Sequence, residues 1–183
     1  MLTPNTAASA TVRADRAAHL GLAAGSVLFA TALTGATAPA LAESAPGRGA
    51  YLAAIMDCGG CHTGGALAGR PDPARKLAGS DIGFAIPGLG YFYPPNLTPD
   101  PATGTGAWST ADLVRAIRTG ERPDGRMLAP VMPWHAYAAL SDDDALALAT
   151  HLQGLAPVSH AVPPPTGPDQ DPPAPYLTVV MPD

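Results

Sequence analysis

Large and charged side chains are scarce in this chain. Aromatic residues make up 5% of its 183 residues, charged residues 14%, and there are two cysteines. Ten Lys and Arg against 15 Asp and Glu leave a formal charge of −5. With so little positive charge there is no basic patch to displace counterions from a phosphate backbone, so nucleic acid is excluded as a partner. The hydrophobic share is 46%, mostly alanine, leucine and valine. Such side chains fill little volume, and a core built from them alone is thin; a large buried apolar cofactor would thicken it. Alternating apolar–polar runs of the kind that mark strands are also lacking.

The two cysteines stand together, in CGGCH at residues 58 to 62. A thiol pair three positions apart suits a redox disulfide, half of a zinc site, or the attachment point of a c-type haem. The rest of the chain discriminates. Residues 1 to 42 have the form of a secretory signal: Arg13 and Arg16, an uncharged stretch from Leu20 to Ala38, then Ala40-Leu41-Ala42 as a small-x-small cleavage site. The expectation is an exported, periplasmic protein cleaved after Ala42; the alternative is an uncleaved N-terminal membrane anchor.

A helix is expected from about Arg48 to Cys58, with Tyr51, Leu52, Ile55 and Met56 on one face. Residues 59 to 107 are dense in Gly and Pro and read as a loop wrapped around something, because so long a loop needs a substitute for the missing core. Ser109 opens a second helix with Asp112 in a capping-box position, a stripe of Leu113, Val114 and Ile117, and a stop at Gly120. Ser141 opens a third, with Asp142, Asp143 and Asp144 in its first turn and Ala145, Leu148, Ala149, Leu152 and Leu155 as its buried stripe. From Ala156 onward nine prolines predict an extended tail, inside which Tyr176 to Met181 is a short apolar patch that either docks or moves freely. The fold class is all-α, with three main helices. The domains are a signal over 1–42, one helical domain over 43–157 and a Pro-rich tail over 158–183.

Thioredoxin-like chemistry needs its CxxC at the start of a helix in a β-rich fold, whereas this one follows a helix. Zinc needs a fourth ligand, and His135, His151 and His160 have no zinc-type partner motif. Covalent haem uses every part of CGGCH: Cys58 and Cys61 take the two vinyl groups and His62 becomes an axial ligand. Met127 and Met132 are the candidates for the second ligand. Met132, in PVMPW, is favoured because Pro130 and Pro133 stiffen its loop. Met127 reads as packing, and the three other histidines as solvated side chains.

The order CxxCH, YFYPPNLTPDPATGTGAWS, DGRMLAPVMPWHAY, LSDDDALALATHLQGL resembles class I c-type cytochromes, most of all the haem domains in the cytochrome c subunits of membrane-bound alcohol and sugar dehydrogenases. The resemblance covers about residues 47 to 158. It implies a cytochrome c-like fold around one covalently bound haem c, with Met132 as the iron ligand opposite His62. It also implies a carrier of single electrons rather than an enzyme. Its partners would be redox proteins, a membrane-bound dehydrogenase or a terminal oxidase. The dehydrogenase subunits carry three such domains; this chain has one CxxCH. Pro94 or Pro95 would offer a carbonyl to the His62 ring, and Asn96 and Trp108 would lie around the haem, with Tyr91 and Tyr93 as weaker candidates. A haem-based sensor or catalyst with a displaceable sixth ligand is the rival reading.

Overall fold

The computed structural model describes residues 47–182. The expected signal segment and its cleavage point lie outside them. Five helices follow in order: α1 (Arg48–Ile55), α2 (Cys58–His62), α3 (Thr110–Thr119), α4 (Trp134–Tyr137) and α5 (Asp142–Gln153). Two single 3-10 turns, Ala66–Ala68 and Pro73–Arg75, lie between α2 and a small sheet.

The core forms where α1 crosses α5 and α3 packs beside them. Leu52, Ala53, Leu77, Ile117, Leu148 and Leu152 are its buried members. Gly49 allows the crossing: a Cβ there would run into the Ala147 carbonyl oxygen and come within 2.6 Å of the His151 Cβ. This close approach sets which face of α1 is buried. Gly49, Leu52 and Ala53 point inward and Met56 is half-buried, whereas Tyr51 and Ile55 are 45% and 59% exposed. The expected face, with Tyr51 and Ile55 in it, is therefore turned; only Leu52 and Met56 belong to the stripe that α5 covers. Nor does α1 run on to the cysteines. Asp57 takes a left-handed conformation (φ 51°) and separates α1 from α2.

The other helices carry the ends their sequences predict. Ser109 and Asp112 form a reciprocal capping box and Gly120 closes α3 with φ 75°. The Ser141 side chain accepts from the Asp144 amide at the start of α5, whose stripe of Ala145, Leu148, Ala149 and Leu152 is buried. On α3 the buried stripe is Leu113, Ala116 and Ile117, with Val114 half-buried.

The strands are an addition to the all-α expectation. β1 (Gly83–Ile86) pairs antiparallel with β2 (Gly90–Phe92), and β3 (Tyr176–Leu177) adds to β1 in parallel, giving the order β2-β1-β3. The tail thus docks through Tyr176 and Leu177. Val179, Val180 and Met181, the rest of the expected apolar patch, are 79–82% exposed. Among the described residues no helix is long and apolar enough to cross a membrane.

Candidate functional site

The site is built on α2. Its single turn carries Cys58 and Cys61, both half-buried, unbridged thiols, and buries His62 to 6% exposure. The His62 ring is set by one bond: Nδ1 lies 2.8 Å from the Pro95 carbonyl oxygen. A carbonyl can only accept, so Nδ1 carries the proton and Nε2 keeps its lone pair. Burial also pulls the ring's pKa below its ordinary value, against the opposing pull of the Pro95 bond, and the imidazole stays neutral. A neutral ring with one nitrogen held by a carbonyl and the other free to ligate is the arrangement metal-binding histidines adopt.

The thiols are poor nucleophiles as they stand. Burial pushes Cys58 up to about 11, and burial, then the Asp57 charge, push Cys61 up as well. Reactive redox cysteines have lowered values. Nor do three His, Cys, Asp or Glu side chains converge as a metal site among the described residues. The raised thiol values remove support from the redox reading.

The loop from Leu77 to Leu97 backs His62. The Gly79 amide donates to the His62 carbonyl (2.8 Å), Ser80 to Pro94 (3.0 Å) and Leu97 to Leu77 (2.9 Å). Pro95 is the residue of the pair that meets the ring. Asn96 is 1% exposed, and its amide donates to the Val158 carbonyl (2.7 Å) and Thr103 Oγ1 (3.1 Å). Tyr93 is buried and exchanges bonds with Ala174. Tyr91 stacks edge-on against Tyr176 at 4.9 Å.

Met132 lies on the other segment expected at the site. It is half-buried in a pair of tight turns, its amide donating to Ala129 (3.0 Å) and its carbonyl accepting from Trp134 (2.8 Å). Met127 faces solvent at 55% exposure. The Tyr137 hydroxyl on α4 donates to the Met56 carbonyl at the end of α1 (3.2 Å), tying the Met132 segment to the stretch that leads into α2. The ring packs against the buried core cluster, as Cys58 does. His135 is exposed and stacks on Trp134 at 3.6 Å. His151 and His160 are half-buried; His160 Nε2 lies 3.2 Å from Asp81 Oδ1, in ion-pair range but off the hydrogen-bond direction.

Three residues near the site escaped the sequence reading: Tyr137, Arg122 and Trp134. Arg122 stacks over the half-buried Trp108 ring at 5.2 Å. Its Nε and the Trp134 Nε1 are buried donors without a hydrogen-bonded acceptor, the nearest carboxylate, Asp124, standing 3.5 Å from Arg122 Nε. Orphaned donors of this kind cost stability unless an acceptor reaches them. They suit the carboxylates of a haem, as the thiol pair and the neutral imidazole suit its vinyl groups and iron. No sequence spacing announces such donors, because their burial comes from packing: the Trp134 ring sits on Gly120 and Arg122 lies over Trp108.

Known proteins resemble much of this chain. The family model for cytochrome c matches residues 44–156. The cytochrome c subunit of a quinone-dependent alcohol dehydrogenase from Gluconobacter oxydans is 39% identical over 139 residues, which is 75% of this chain and 27% of that protein. The gluconate 2-dehydrogenase cytochrome c subunit of Pantoea cypripedii is 41% identical over 62% of this chain and 24% of its own length. The fructose dehydrogenase cytochrome subunit of Gluconobacter japonicus is 38% identical over 57% of this chain and 20% of its own length. The chain thus spans about a quarter of the length of these relatives.

Proposed function

Since the chain belongs to the cytochrome c family, with the all-α fold that membership implies, we propose that it is a single-haem c-type cytochrome passing one electron at a time between redox partners in the periplasm. Its chemistry is electron transfer rather than catalysis in its own right. Cys58 and Cys61 would hold one haem c through thioether bonds, and His62 and Met132 would be the ligands of its iron. When bound, the haem supplies one-electron exchange between ferric and ferrous iron.

The observation that carries this reading is the 2.8 Å bond from His62 Nδ1 to Pro95. It fixes the tautomer and leaves the Nε2 lone pair free to ligate, one residue after the second thiol. The protein's own residues do the rest. Burial keeps His62 neutral, Pro95 orients its ring, and Arg122 and Trp134 offer donors to the haem carboxylates. Trp108 lies beneath the Arg122 guanidinium. Residues 43–157 are the electron-transfer domain, 158–183 the C-terminal segment, and 1–42 a signal removed on export. The relatives' names, cytochrome subunits of alcohol, gluconate and fructose dehydrogenases, support a dehydrogenase as redox partner.

The test is the protein made where c-type haem is attached. One haem per chain, a low-spin spectrum with the weak long-wavelength sulfur-to-iron band, and no response to carbon monoxide support the proposal. Met132→Ala should keep the covalent haem and gain carbon monoxide binding. An unchanged low-spin spectrum in that variant removes Met132 as ligand. A wild-type protein that binds carbon monoxide readily favours the sensor or catalyst reading instead.

A further inference from the structure

The segment after α5 is a strap laid over the loop that holds His62. At its near end the Val158 carbonyl accepts from Asn96 Nδ2 (2.7 Å), the Val158 amide donates to Thr98 Oγ1 (3.1 Å), and the His160 amide donates to Thr103 Oγ1 (3.0 Å). Next, Val162 sits over Gly79, whose φ of 93° and missing side chain make room for it. Gly79 is the residue whose amide bonds the His62 carbonyl. Further on, Thr166 and Tyr91 exchange both backbone bonds (2.9 and 3.1 Å). The Tyr93 hydroxyl donates to the Ala174 carbonyl (2.7 Å) and accepts from its amide (3.1 Å). The Gly83 amide donates to Pro175 (2.9 Å), and β3 completes the sheet.

Asn96 is the junction between strap and site. Its Oδ1 accepts from the Thr98 amide (2.9 Å) and hydroxyl (2.7 Å) while its amide group serves Thr103 and Val158. A side chain with two donors and an acceptor of two bonds is needed there, and only an amide supplies both. The preceding residue is Pro95, whose carbonyl orients His62. Pro95 has no N–H of its own to anchor it, so its position depends on its neighbours: Pro94, held by Ser80, and Asn96, held by the strap.

We propose that the strap, residues 158 to 177, is a positioning element for His62, acting through Asn96 and the Pro95 carbonyl. The proposal rests on the reading of His62 as an iron ligand. A carbonyl accepting from Nδ1–H makes the imidazole a stronger donor to the metal, which favours ferric over ferrous iron. Loosening the strap weakens that bond and shifts the balance toward the ferrous form.

The test uses the full-length haem-loaded protein with Tyr93→Phe and Thr103→Val combined. These changes remove strap bonds and leave Pro95 and His62 in place. Amide hydrogen exchange reads the strap at the Thr166, Ala174 and His160 amides. Proton NMR of the reduced protein reads exchange of the His62 ring N–H, and a redox titration reads the ferric-to-ferrous balance. The expected result is exchange at least tenfold faster in the strap, faster exchange of the ring proton, and a redox equilibrium moved several-fold toward ferrous iron. Asn96→Leu, which keeps the volume and adds no charge but loses the donors and the acceptor, should move the same three readings the same way. Faster strap exchange with an unchanged ring proton and redox balance overturns the proposal. So does unchanged strap exchange, since these bonds would then not hold the strap. In the wild-type protein, His62 ring protons without the large shifts of a haem-bound imidazole would defeat the ligand reading itself, before any variant is compared.

Discussion

Replacing Gly49 with alanine tests the crossing on which the core depends. A Cβ at this position meets the Ala147 carbonyl oxygen and lies 2.6 Å from the His151 Cβ and 2.8 Å from the Ala147 carbonyl carbon. Carbon atoms in contact prefer about 3.5–4.0 Å, so the two helices must part by roughly 1 Å. All three obstacles belong to the backbone or Cβ atoms of α5, which no rotamer change can move. Overpacking of this kind costs about 1–3 kcal/mol, and a backbone obstacle puts the value at the upper end, about 3 kcal/mol. Alanine returns about 1 kcal/mol of helix propensity, which leaves a net loss of about 2 kcal/mol. At about 4 °C per kcal/mol for a domain of this size, the melting temperature should fall by about 8 °C. Gly154→Ala is the control: its Cβ would lie 3.4 Å from the Thr150 carbonyl oxygen and its φ of −85° suits any residue. That variant should melt no lower than the parent. Thermal unfolding followed by far-ultraviolet circular dichroism measures both. A Gly49→Ala protein as stable as its parent would show that α1 and α5 do not approach so closely.

Ser109→Ala should cost about 1 kcal/mol, because it removes the acceptor of the Asp112 amide and half of the capping box; urea titration gives the value, and Ser109→Asp should recover most of it. Acid should destabilise the protein through its paired carboxylates. Asp144 is held below its ordinary range by its hydrogen bond to Arg48 and then by the Arg48 charge, and Asp112 by its hydrogen bonds to Ser109. A carboxylate with a lowered value in the fold adds stability above its unfolded value, and that stability is lost as pH falls through the folded one. The melting temperature should therefore drop from about pH 5 downward, and Asp144→Asn should flatten part of the slope. An identical slope in that variant would mean the Arg48 pair contributes nothing to the acid response.

The helix ends were the most legible part of this chain. Ser109, Gly120 and Ser141 act through their own side chains or lack of one, and local chemistry is what a sequence displays. The buried face of α1 was not legible, since it depends on which neighbour arrives. Tyr51 and Ile55 have the right spacing for a stripe, but Gly49 draws α5 to the adjacent face. The sheet was hidden for a similar reason. Its strands are four, three and two residues long, too short to show alternation, and Tyr176 meets Gly83 only because the tail returns. At the site, CGGCH announced itself and the family resemblance offered a carbonyl from Pro94 or Pro95, between which only the folded loop chooses. Arg122 and Trp134 gave no signal, because an orphaned donor exists only after burial.

The two sides of the site are therefore built to different tolerances. His62 is enclosed by the Pro95 and Gly79 bonds, by a Thr63 hydroxyl that accepts from the Leu77 amide (3.1 Å), and by the strap outside them. Most of these partners are backbone groups in buried loop, where an unpaired donor or acceptor costs about 1–3 kcal/mol. A change there is felt by the whole fold. The Met132 side is a run of tight turns, half of it in solvent, tied to the helices by the bond from Leu128 to Gly120 (2.7 Å) and the one from Tyr137 to Met56 (3.2 Å). A change there can shift the thioether without unfolding the helices. Segments with few buried contacts open at lower free energy than the core, so under the proposed ligation an exchange of ligands at the iron should begin on the Met132 side. The His62 side, anchored from both ends of the chain's second half, supplies the fixed reference against which that movement occurs.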